Sequence, residues 1–231
     1  MSRLTSQIAI SFKQPQVFLM VADEFEKIQI PCDSKKVLKE NTLEDCMNII
    51  IQEVKNELKS YSVPIVVLLL SPKLLAKEHL RLPVRDLVRF PLDLIEEITS
   101  HIMDNITNCN KQITKMDGKL IVPTLIPVKK NQMSGTRYEN LFFSKLFTTA
   151  NERLFHFSKK TESKMIFLNT IFESKEKSEI NTKQHIITKK HFERDYQTIN
   201  GEGIRKINNT LQRSLHNITK KHMNKIRRRK S

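Results

Sequence analysis

Eight consecutive apolar residues, Val63 to Leu70, constrain this chain more than any other segment. The run is rich in β-branched residues at its start, carries Pro64 there and stops at Ser71-Pro72, which reads as a buried strand rather than a helix. It is far short of the roughly 18 residues that suggest a membrane span, so the chain itself must cover it. The clearest helix lies just upstream. Thr42 is its N-cap, Glu44 and Asp45 fall in its first turn, and Leu43, Cys46, Met47, Ile50, Val54, Leu58 and Tyr61 recur at helical spacing on one face.

Three short strands precede that helix: Ile8, Ile10 and Phe12 alternate with smaller residues, Gln16 to Val21 is a compact apolar run, and Ile28 and Ile30 alternate with Lys27 and Gln29. The opening is therefore β-β-β-α-β. Pro91 starts a second helix carrying Leu94, Ile95, Ile98, Ile102 and Ile106 and ending near Cys109. Leu120 to Val128, punctuated by Pro123 and Pro127, is expected at a sheet edge, because proline cannot donate to a ladder. A polar loop over 129–137 leads to an aromatic-rich helical block, Tyr138 to Phe157, with Phe142, Phe143, Phe147 and Phe155. Met165 to Phe172 fits strand and helix equally.

Residues 173–183 hold one apolar side chain, Ile180, and read as a solvated connector. Gly201 and Gly203 suggest a hinge. Beyond it Ile204, Ile207, Leu211, Leu215 and Ile218 form the stripe of an amphipathic helix, suited to a partner helix or to the chain's own body. The expected fold class is α+β: an N-terminal β-β-β-α-β core with a mixed helical continuation, forming a protein-docking body over 1–170, a connector over 171–203 and a basic amphipathic helix or tail over 204–231.

Charge is strongly uneven. Residues 1–100 carry 13 basic and 14 acidic side chains, whereas residues 101–231 carry 27 and 11. No acid follows Glu202, while Arg205, Lys206, Arg213, Lys220, Lys221, Lys225, Arg227, Arg228, Arg229 and Lys230 do. Cations that neutralise phosphates release condensed counterions, so these ten residues are the candidate nucleic-acid contacts, DNA or RNA. The terminal cluster also resembles a nuclear-import signal. The stripe carries no aromatic membrane anchor, and the first residues lack the apolar stretch of a secretory signal.

Catalytic patterns are scarce. No phosphate-cradling glycine loop, GxSxG or HExxH occurs among 231 residues with four glycines. His185 and His191 near Glu193 and Asp195 are the one candidate metal cluster, and Asp104 with Asp117-Gly118-Lys119 fits the carboxylate and acid-x-Lys pattern of a metal-dependent nuclease. The second half of that pattern recurs at Glu53, Glu57, Glu162 and Glu173, and Asp117-Gly118 is equally a turn. Three scattered cysteines, Cys32, Cys46 and Cys109, suggest neither a disulfide framework nor zinc.

The expectation is thus a non-enzymatic nuclear subunit of a nucleic-acid-associated complex. Its partners would be other protein subunits and DNA or RNA, with no cofactor, no membrane and no small-molecule substrate. The alternatives are a divergent metal-dependent nuclease and an RNA-bound ribosome-biogenesis or structural protein.

Overall fold

The computed structural model describes residues 13–39, 42–70, 91–125, 137–161, 163–168 and 199–230. Five strands, β1 (Gln14–Ala22), β2 (Ser34–Leu38), β3 (Ser62–Leu69), β4 (Lys119–Pro123) and β5 (Lys164–Ile166), form one sheet in the order β2-β1-β3-β4-β5. Every neighbouring pair is parallel, with Val17 beside Ile65, Val66 beside Leu120 and Pro123 beside Ile166. Parallel strands need crossovers, and helices α1 (Leu43–Glu57), α2 (Pro91–Lys115) and α3 (Arg137–Lys160) lie between them in the chain. A last helix, α4 (Gly201–Lys230), follows β5.

The strand period of two divides the sheet between two cores. Phe18, Met20, Val66, Leu68, Leu120 and Val122 pack with α1, α2 and α3. Their alternates Leu19, Val21, Ile65, Val67 and Ile121 pack with Ile204, Ile207, Leu211 and Leu215 of α4. The fold class is therefore α/β with a doubly covered parallel sheet, which corrects the α+β expectation. Burial on both faces leaves all eight positions of β3 buried and all of them after Ser62 apolar.

Local assignments shift accordingly. The β1 run is longer than the sequence segment that marks it, and Ile8 to Phe12 lies outside the described residues. Ile28 and Ile30 are not a strand: they belong to the α4-side core in irregular backbone. The second strand is instead Ser34–Leu38, a partly exposed edge whose two lysines hide it. β4 is internal rather than an edge, and Pro123 is its final residue. α2 continues past Cys109 to Lys115.

Two helix ends show why these segments start and stop. Thr42 Oγ1 accepts the Asp45 N–H at 3.1 Å and donates to Asp45 Oδ2 at 2.7 Å, capping α1. α2 ends in a 6→1, 5→2 pair of hydrogen bonds, Gly118 N to Ile113 O and Asp117 N to Thr114 O, with Asp117 at φ 59°. Asp117-Gly118 is thus a helix stop.

Gly201 and Gly203 form no hinge. Asn200 Oδ1 accepts the Gly203 N–H at 3.0 Å and Asn200 O accepts the Ile204 N–H at 2.9 Å, so these glycines occupy the first turn of α4. The stripe beyond them lies in the core of its own chain, the second of the two arrangements that the sequence leaves open. Further along, His222 Nε2 donates to the Asp117 carbonyl oxygen at 3.0 Å, pinning α4 beside the start of β4.

Candidate functional site at the carboxyl edge of the sheet

From β1 the chain moves outward to β2, then returns across β1 to β3 and continues outward on the other side. This reversal parts the connections that follow β1 and β3, and in open α/β sheets the crevice at their carboxyl ends is where ligands bind. β1 ends at Ala22 and turns sharply through the 3-10 segment Asp23–Phe25. Phe25 is buried beneath this turn while Asp23 is exposed, which puts a carboxylate at the mouth of the crevice.

The ends of β4 and β5 are tied to each other. Thr124 N donates to Ile166 O at 2.8 Å, and Thr124 Oγ1 accepts the Leu168 N–H at 2.8 Å. Asn151 of α3 then holds Leu125 from both sides, accepting its N–H at 2.8 Å and donating to its carbonyl at 3.1 Å. α4 reaches the same edge: the 21 residue-to-residue steps from His222 back to Gly201 span about 31 Å, the length of the longest strand. Asn200 takes the N–H groups of Gly203 and Ile204, and the Gly201 N–H ahead of them is the donor that this helix start brings to such an edge.

The residues that end the strands and those directly following them, among those described, carry no serine, cysteine or histidine. The described residues also hold no group of three His, Cys, Asp or Glu arranged to bind a metal ion. His185, His191, Glu193 and Asp195 lie outside them.

The nuclease constellation is not assembled. Asp104 is exposed in the middle of α2, Lys119 is buried at the start of β4, and Asp117 accepts a 3.0 Å ion pair from Lys13 at the opposite edge of the sheet. Cys109 is no nucleophile either, because it is fully buried and that burial pushes its thiol up to about 12. Iodoacetamide should modify half-exposed Cys32 first and Cys109 only on unfolding, which peptide mapping would check. Between the ordinary thiol value of 9.0 and about 12 the folded protein keeps the Cys109 proton that the unfolded chain releases, so stability should fall as pH rises through that window.

Of the ten C-terminal cations, Arg205, Arg213, Lys220, Lys221, Lys225, Arg227 and Arg228 are exposed on α4. Lys206 is half-buried and lies 3.8 Å from Glu202. Arg229 and Lys230 are in its last turn. Of the stripe residues, Ile204, Ile207, Leu211 and Leu215 are buried on the sheet and Ile218 is partly so. In the aromatic block Phe147 is in the core, whereas Phe155 is half-buried, with Phe167 at 6.1 Å and the Lys159 ammonium 4.1 Å over its ring.

No family model and no curated protein matches the sequence. Solved structures do match. One is a protein from Bacteroides fragilis assigned as an acylhydrolase, with a TM-score of 0.58 at 11% identity, covering 90% of this chain and 92% of that one. A GDSL-like lipase from Bacteroides thetaiotaomicron matches with a TM-score of 0.56 at 11% identity, over 87% and 88% of the two chains. A protein from Streptococcus pneumonia assigned as a platelet activating factor gives 0.52 at 10% identity, over 90% and 86%.

The architecture is shared almost end to end, and it corrects the expected function. The expectation of a DNA- or RNA-bound nuclear subunit without a small-molecule substrate rests on a basic segment attached to a docking body. That segment is instead a core helix of a fold found in acylhydrolase-type proteins. The sequence departs from the lipase's four-letter motif, since none of Gly118, Gly135, Gly201 and Gly203 is followed by aspartate.

Proposed function

We propose that this chain is a hydrolase of small carboxylic esters, with its site in the crevice at the carboxyl ends of β1 and β3. The observation that carries the reading is the strand-order reversal at β1 and β3, within an architecture matched nearly end to end by an acylhydrolase and a lipase. Ester hydrolysis needs a group that activates the attacking oxygen and donors for the oxyanion that develops. Asp23 supplies the acid-base group at the crevice mouth, and the Gly201 N–H at the start of α4, ahead of the two that Asn200 takes, supplies a donor on the same edge.

A second reading, ester binding without turnover, is favoured by one observation: the described strand ends carry no serine, cysteine or histidine, and the Gly-Asp-Ser-Leu tetrapeptide is absent. Turnover of p-nitrophenyl acetate and butyrate by the purified chain separates the two. Hydrolysis above the buffer rate, reduced roughly a hundredfold by Asp23→Asn at unchanged melting temperature, is the expected result. Saturable ester binding without turnover would install the second reading, and neither binding nor turnover would overturn both.

A further inference from the structure

We propose that the amino edge of the sheet, opposite the ester site, is a docking surface for an anionic lipid membrane. The topology creates this surface. Helices that return antiparallel to parallel strands all finish at the amino edge. Lysines carried by different helices where they pass this edge therefore meet there although they are far apart in sequence, and Lys115, Lys159 and Lys160 also suit the negative ends of their helix dipoles. Lys111 and Lys115 close α2, Lys159 and Lys160 close α3, and Lys220 and Lys221 of α4 stand beside His222, which touches the turn before β4. All six are exposed, and they come from both faces of the sheet. Of the acids at this end, Asp117 is paired with Lys13, Asp33 accepts the Val17 N–H at 2.7 Å, and Glu57 at the end of α1 is exposed, so the lysines outnumber the acids.

Two further features favour lipid over another polyanion. Tyr61, at the amino start of β3, is 61% exposed, and its amphipathic ring is of the kind that settles at headgroup level. Between the ends of α2 and α3 lies an open cavity of about 560 Å³ lined by Lys111, Lys115, amide side chains and Thr161, which suits a phosphate-bearing headgroup. The protein would lie on the membrane rather than span it, as no described helix is long and apolar enough to cross one. Because the ester crevice is at the other end of the strands, the two sites succeed or fail independently.

The test is co-sedimentation of the full chain with phosphatidylcholine vesicles, with and without phosphatidylserine, across a salt series. Binding should require phosphatidylserine and weaken with salt. Lys111→Glu/Lys115→Glu and Lys220→Glu/Lys221→Glu, from opposite faces of the sheet, should each weaken it by roughly tenfold or more. Lys39→Glu/Arg205→Glu makes the same change in net charge at the carboxyl edge and should leave binding unaltered. Tyr61→Ser should lower affinity without changing the salt slope. Circular dichroism checks that each variant is folded. No binding to phosphatidylserine vesicles, equal losses in all three charge-reversed variants, or tighter binding to mixed-sequence duplex DNA at the same salt would overturn the proposal.

Discussion

Leu211→Asp is expected to unfold the protein or to lower its melting temperature severely, not to disturb an interface. Leu211 has no exposed surface and lies between α4 and the sheet, among Leu19, Val21, Ile65 and Val67. A carboxylate there loses its water and gains no partner, and the vanished side chain also leaves a cavity. Leucine truncation alone costs about 2–5 kcal/mol, and burying an unpaired charge adds to that. The sum rivals the whole stability of an ordinary domain, about 5–15 kcal/mol. Thermal melts of Leu211→Asp and Leu211→Ala would check this, with the aspartate variant the worse. A normal melt for Leu211→Asp would mean that α4 is not a core element, and the two-core architecture would fall with it.

Gly118→Ala should be the most damaging single-methyl change in the described structure. A Cβ at Gly118 would stand 2.6 Å from Pro64 Cγ and 2.8 Å from both the Cγ2 and the carbonyl oxygen of Ile113. That oxygen cannot yield cheaply, since it accepts the Gly118 N–H in the hydrogen-bond pair that ends α2. The glycine is needed for space, while the left-handed residue of this cap is Asp117. Overpacking of this kind costs about 1–3 kcal/mol, and a contact to backbone argues for the upper end. Urea unfolding would read the loss as a lower midpoint, and Gly201→Ala, with nothing within 4 Å, serves as the neutral control.

How much of this was legible depended on whether the signal was local. The α1 cap, the buried β3 run and the α4 stripe were readable because helix and strand periods are local properties of the chain. β2 was not, because Ser34–Leu38 is a partly exposed edge strand whose lysines are held by polar partners, Lys35 by the Ile28 carbonyl and Lys36 by Glu53, so burial imposes no apolar pattern. Asn200 as a cap was readable in principle, but two following glycines look the same in a hinge as in a first helical turn. The candidate site was hidden for a different reason. It is made by the ends of strands and the start of a helix, and no motif announces Asp23, Thr124 or Asn151.

The sequence by itself determined which segments are apolar enough to be buried, where α1 begins, and that the positive charge is concentrated in the second half. Only the tertiary structure decided that the strands run parallel, that the stripe of α4 covers the second face of their sheet, and which edge receives which charges. Strand direction and order follow from how crossovers fold back over a sheet, and a hydrophobic pattern of period two is the same whichever way a strand runs. The same basic helix could therefore be read as a detached anchor until its packing showed it to be half of a core.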